Sequence, residues 1–478
     1  MFHSVSHVSH SPKPCKLFQN KKMSENTNEV SKAASEEPPP VEIQENTSKL
    51  YTLLLILFLN YLPLAILNPV QVELFELINK VSSGHHKHST SLYGALFSWP
   101  GFIFFIVSPI IGSLSDRFGR KIFIVLHSVL TFTLFSVYLL ACYSVTTTDE
   151  SEVMKFFRTH SFKLFVLGKT VQGFCLDFLP LVYSYISDHA KKENLSTYFS
   201  YVLASAGLST AVGPILSGYL AKNFGLMGVF IVTFSISLLV VIFIVVFLEG
   251  DRKSHVDAKE ETVIQKIVVP FKSLYALLTQ ENKVVPVLIV SKFASALLSV
   301  GFFCIITQYT RIRFNFGVQE NGYLLTIIGI CAIISNTLLS KPFNMITKGD
   351  ESMTCLISGI GTIIMFLLMT FAQDGNQLLY CATVFLIGAK EDPARTGLIS
   401  KNADGQQGSG LLQGALGSVS TLARIIAPII FSSLLELSTT PGQDGKPFFL
   451  ELPIIAFVLL QSFSVICIYW ASRKQKVE

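Results

Sequence analysis

From Leu50 onward the chain alternates long apolar runs with short polar punctuation. Twelve runs are legible, at 50–77, 92–112, 122–143, 164–187, 197–221, 227–248, 284–308, 321–340, 353–372, 378–400, 411–437 and 450–471, hereafter segments one to twelve. A helix rises about 1.5 Å per residue, so about 20 residues cross a hydrocarbon core roughly 30 Å thick. Each run meets that length, and the pattern predicts an all-α protein of twelve transmembrane helices. The longest internal polar stretch, 249–283, separates six runs from six and reads as a linker carrying a short amphipathic piece around 263–278. Two six-helix bundles are therefore expected at 49–248 and 284–472, with tails at 1–48 and 473–478.

Composition supports a membrane setting. Half of the residues are hydrophobic, 14% are charged and Phe alone occurs 39 times, a content that a soluble chain of this length could hardly bury in its cores. With both termini inside, the cytoplasmic stretches carry about 23 of the 37 basic residues and the external loops about 9, the bias expected of a multi-pass protein. The net charge of +5 then reflects topology, and no basic soluble domain offers a nucleic-acid footprint. The first 48 residues, with Pro38, Pro39 and Pro40 among scattered polar side chains, lack the apolar core of a cleavable signal and read as a disordered cytoplasmic tail in which Met23 offers an alternative start. No sorting signal chooses between plasma membrane and endomembrane.

Other chemistry is thin. Seven of the eight cysteines fall in segments, with no disulfide framework or zinc spacing. His85, His86 and His88 read as a solvated loop, and Asn46 and Asn194 match glycosylation sequons by pattern alone. No nucleotide-binding loop and no nucleophile with its base are present, so neither an ATP-driven pump nor an enzyme is expected, and no cofactor or metal.

One polar string is highly specific. Gly112 to Lys121 (GSLSDRFGRK) joins segments two and three as a tight, positively charged hairpin. Gly112 and Gly119 permit the turn, and Arg117, Arg120 and Lys121 hold it on the cytoplasmic side. This string resembles the signature of the major facilitator superfamily, G-x-L-a-D-r-x-G-r-k, at its proper place. Lys169 in the run Gly168-Lys-Thr-Val-Gln-Gly stands where that family's fourth-helix motif has Arg. Gly207, Gly213, Pro214 and Gly218 resemble the fifth-helix motif of its proton-coupled antiporters, with Ser217 in place of a usual Gly. Tyr185 to Asp188, Pro393, Ser400 to Gln407 and Gln413-Gly414 are similar to the tetracycline-resistance and hippocampus-abundant-transcript-like branch. The resemblance implies two pseudo-symmetric bundles with a solute site between them, and a monomer working by alternating access. It also implies that Asp116, Arg120 and Asp188 form a cytoplasmic latch. The second half has lost the hairpin signature, keeping Lys341, Lys348, Asp350 and Glu351.

Charges inside the segments are the candidate chemistry, because a charge at mid-bilayer costs a few kcal/mol and faces a cavity or a partner. Among them are Lys169 and Asp177 on segment four, Lys292 on seven, Lys390, Glu391, Asp392 and Arg395 on ten, and Arg424 on eleven. In the family, helices one, four, seven and ten line the cavity. Lys169 and Asp177 lie eight residues apart, about 80° and about 12 Å along the helix, so each needs a partner elsewhere. Glu391 and Arg395 stand at i and i+4, Asp392 and Arg395 at i and i+3, and either spacing allows an ion pair beside Pro393. Asn60, near Pro63, Asn68 and Pro69 on segment one, could offer an amide to a solute. Small residues and Pro214 in segment five allow close helix packing. The reading is a secondary carrier of a small organic solute, coupled to protons through Asp177 or through Glu391 with Asp392. Facilitated diffusion and a non-transporting sensor or trafficking protein are the alternatives.

Overall fold

The computed structural model describes residues 47–82, 90–175, 179–189, 195–248, 272, 274–280, 283–402, 409–440 and 449–475. The N-terminal tail, the histidine loop, Asp177 and most of the linker lie outside the described residues, as do the side chains of Asp116, Arg117 and Asp188. Among the described residues every regular element is a helix, and nine stretches are long and apolar enough to cross a membrane. One of these, Tyr198–Phe247, spans 50 residues and covers two predicted segments. It breaks at Gly225, whose φ of 66° and ψ of −179° reverse the chain. Only glycine holds that conformation without a Cβ penalty.

Segments four and ten account for the remaining predicted crossings, and both are broken. Segment four is built from Ser161–Phe174 and Leu179–His189, and segment ten from Gly375–Ala382, Phe385–Gly388 and Glu391–Asn402. The predicted twelve is reached only by counting such interrupted helices as spans. In segment ten, polar residues stand at the breaks, Thr383 at one and Lys390 to Asp392 at the other; irregular backbone at membrane depth is tolerated where protein or a cavity covers it. Segment one overshoots its prediction, running Thr47–Ser82 through Pro63 and Pro69. At 36 residues it exceeds the bilayer by some turns, which a tilted or protruding helix accommodates. A further short helix, Glu152–Thr159, has no counterpart in the apolar pattern; Ser151 caps it by accepting from the Met154 amide. Its Arg158 donates to the carbonyl oxygens of Ser144 at 3.2 Å and Thr147 at 2.7 Å, closing the end of segment three.

Three apolar cores hold the bundle. One lies in the first half near the chain start and the linker, around Leu53, Phe123, Val182 and Leu248. Its counterpart in the second half gathers Leu274, Leu288, Leu398, Ala415 and Ala471. The third runs across both halves, from Ile66, Phe75, Tyr93, Phe165 and Phe230 to Phe302, Tyr309, Phe366, Phe431 and Phe457. Among the described residues the apolar core is thus divided at the face bearing the chain ends and the linker, and continuous toward the opposite face, termed here the far face.

Two helix pairs make the most extensive contacts between the halves. Segment five meets segment eight: a Cβ added at Gly218 would lie 2.9 Å from the Gln319 Cα, and one at Gly322 would lie 2.4 Å from the Pro214 carbonyl oxygen. Segment two meets segment eleven, where a Cβ at Gly94 would collide with Ser432 and one at Gly101 would press on the Arg424 backbone at 3.2 Å. Gly213 instead lets segment five approach segment one, since its Cβ would lie 2.4 Å from that of Ala65. Small residues decide these contacts because helices in lipid gain little from burying apolar area and depend on close packing.

Candidate functional site

The charged residues of the segments resolve into separate groups. On segment four, Lys169 is 1% exposed. Its Nζ donates to Gln71 Oε1 of segment one and, at 3.3 Å, to Gln172 Oε1. It also stands 4.7 Å from the centre of the Phe97 ring and 5.7 Å from that of Phe165. Amide oxygens and ring faces thus hold this cation, and no carboxylate among the described residues reaches it. Gln71 is itself 2% exposed; its signal in the sequence is a lone amide between Val70 and Val72 in an apolar run.

On segment ten the four charges point different ways. Arg395, fully buried, pairs with Glu391 and donates to Ser464 Oγ at 3.0 Å. Glu391 also accepts from Gln461 Nε2 at 2.6 Å, and Gln461 reaches the Gly359 carbonyl. Ser464 in turn meets Ser291 Oγ at 2.9 Å. This network ties segment ten to nine, twelve and seven inside the second half. Of the two spacings open in the sequence, the i, i+4 pair forms, and Asp392 turns away to pair with Lys292 of segment seven. Lys292 also reaches Thr396 Oγ1 at 3.3 Å. The Asp392 side chain is 63% exposed, whereas Glu391 is enclosed. Lys390 bonds Ser340 Oγ at 2.9 Å and lies over the Phe343 ring.

Asn60 does not stand open to a solute. It is 2% exposed and bonded through its amide nitrogen to Ser128 Oγ at 3.1 Å and through its oxygen to His127 Nε2 at 3.3 Å, so it joins segment one to segment three. In the hairpin, Gly119 has φ 95°, the turn that only glycine makes freely, and Arg120 donates to Ser115 Oγ at 2.8 Å. In the segment-five motif, Gly213, Pro214 and Gly218 lie at tight helix contacts, whereas a Cβ at Gly207 would meet only Ile333 at an ordinary 3.7 Å.

Two contacts between the halves escaped the sequence. Arg311 of segment seven meets Glu76 of segment one at 2.9 Å, and the Ser91 amide of segment two donates to Glu436 of segment eleven at 2.7 Å. Both lie toward the far face. Beside the first lies a cavity of about 340 Å³ lined by Glu73, Lys222, Arg311 and Glu320. Pairing between residues over two hundred positions apart leaves no local pattern to read.

The chain matches the profile of the Major Facilitator Superfamily over residues 53–428, and it belongs to that family of multi-pass membrane transporters. Its relatives include both kinds that its motifs resemble. It is 24% identical to the tetracycline resistance protein, class H, of Pasteurella multocida, covering 86% of this chain and 94% of that protein. It is also 24% identical to the hippocampus abundant transcript-like protein 1 of Rattus norvegicus, covering 79% and 73%. Two solved structures share the fold: the human organic anion transporter MFSD10 (TETRAN), with TM-score 0.60, 16% identity and coverage of 90% of this chain and 100% of that one; and a bacterial homologue of the human lysosomal transporter Spinster, inward-facing and unoccupied, with TM-score 0.63, 14% identity and coverage of 89% and 97%.

Proposed function

We propose that this chain is a secondary carrier of a small organic solute that works by alternating access and exchanges the solute for protons, with both termini and the linker on the cytoplasmic side. The divided core carries this reading. An alternating carrier needs two states in which opposite ends of the gap between its halves are shut, and rigid-body rocking of one half on the other interconverts them. Here the apolar core of the described residues is continuous toward the far face and splits at the linker face, the arrangement of a state open to the cytoplasm. Glu76–Arg311 and Ser91–Glu436 latch the far face and would part in the opposite state, when Asp116, Arg120 and Asp188 close the hairpin.

Proton exchange rests on Lys292 and Asp392, a membrane-embedded pair whose Asp392 side chain is 63% exposed, and on Asp177. Relatives named for tetracycline resistance fit solute export. The test is flux of a broad solute panel in proteoliposomes with and without an imposed pH gradient, for wild type, Asp392→Asn and Asp177→Asn. Gradient-dependent flux that both variants lose is the expected result. Equal flux without a gradient would replace exchange by facilitated diffusion, and no flux from correctly folded protein would leave a sensor or trafficking role.

A further inference from the structure

Segment two supplies the geometry. On a helix of about 3.6 residues per turn, Pro100 and Ile103 fall to one side of Phe97, Gly94 and Gly101 fall to the other, and Phe104 stands nearly in line with Phe97. The first side packs on segment four, where a Cβ at Gly173 would touch Ile103 and the Pro100 carbonyl. The second side packs on segment eleven, through Gly94 against Ser432 and Gly101 against Arg424. Phe97 and Phe104 therefore face the gap between a helix of the first half and a helix of the second, about 10 Å apart along the axis.

A cation lies over each ring. Lys169 stands over Phe97, and the Arg424 guanidinium is 6.0 Å from the centre of the Phe104 ring. Neither has a carboxylate partner among the described residues, although a charge at membrane depth is costly without one. Among the described residues, the acidic side chains of the neighbouring segments are occupied elsewhere: Glu76 with Arg311, Asp392 with Lys292, Glu391 with Arg395, Glu451 with Arg313, and Glu436 with the Ser91 amide. Glu73, two residues beyond Gln71, falls on the opposite side of segment one and lines the far-face cavity instead. Ring faces and amide oxygens stabilise a cation only in part. Two cations thus flank an aromatic wall with no anionic partner among the described residues.

We propose that the carried solute is an organic anion with a flat apolar body, whose acidic group is held by Lys169 or Arg424 while its body lies along Phe97 and Phe104; a second acidic group about 10 Å from the first would engage both cations. This names the substrate class of the carrier reading and rests on it. Full-length protein in lipid nanodiscs and in proteoliposomes is challenged with aromatic mono- and dicarboxylates, from benzoate to naphthalenedicarboxylates, each beside its methyl ester and the matching benzylic amine. Ligand-induced thermal stabilisation and uptake are read together. The acids should stabilise and be carried, with esters and amines inert. Lys169→Gln and Arg424→Gln should each weaken the acids about tenfold, and Lys169→Arg should retain them. If a glutamine variant does not fold, Phe104→Leu takes its place with the same expected direction. Esters or amines carried as well as the acids, or acids indifferent to both cations, overturn the anion assignment while leaving a carrier. Folded protein that moves no compound of any class overturns both.

Discussion

Removing the charge of Glu391 alone should damage the second half more than removing it together with its partner. Arg395 is fully enclosed and Glu391 nearly so, and the pair is bonded to Gln461 and Ser464 of segment twelve. Glu391→Gln leaves the guanidinium buried with no counter-charge, and breaking such a pair costs about 3–5 kcal/mol. Arg395→Met leaves an uncompensated carboxylate and falls in the same range. The double variant Glu391→Gln/Arg395→Met removes both charges and keeps similar volume, so it should cost less than either single, a recovery of more than about 3–5 kcal/mol relative to their sum. Equilibrium unfolding of the purified protein by a graded denaturing detergent, analysed as a double-mutant cycle, gives the coupling. Additive losses, or single variants as mild as an ordinary surface substitution, within about 0.5 kcal/mol of wild type, would show that the pair is not a buried strut and would refute the reasoning.

Further expectations concern the joints of the bundle. Glu76→Gln or Arg311→Gln removes a half-exposed pair worth about 0.2–1 kcal/mol; the population of the state closed at the far face should fall by up to about fivefold, read as spin-label distances across that face, with the charge-swapped double variant restoring it. Gly213→Ala should cost about 1–3 kcal/mol or prevent folding, because its Cβ would sit against Ala65, whereas Gly207→Ala should be near neutral; equal melting temperatures for the two would contradict the packing described. Gly225→Ala meets open space yet should destabilise by about 1 kcal/mol through its positive φ alone, measured in the same unfolding assay. Asp392→Asn should abolish the response of flux to a pH gradient while solute binding persists, and a preserved response would remove the Lys292–Asp392 pair from the proton path.

What the sequence determined follows from short-range physics. A run of about 20 apolar residues in a bilayer has to satisfy its own backbone, and a helix is the local way to do so, so class, segment positions and the hairpin turn at Gly119 were legible before any packing was known. Family membership was legible for a similar reason: the signature serves a local turn and cannot slide. Helix spacing also restricted Glu391 and Arg395 to one face, so their pair was foreseen as one of two options.

Partner choice belonged to the tertiary structure. Asn60 carries an amide suited to a solute, yet segment three arrives with His127 and Ser128 and absorbs it. Asp392 pairs with a lysine 100 positions away, Glu76 with an arginine on the other half, and Lys169 settles among rings and amides from three helices. Which end of the gap is shut is likewise a property of how two halves dock. Sequence sets what each segment must hide, but a charge in a membrane is neutralised by whichever neighbour the packing delivers, and only the assembled bundle decides which neighbour that is.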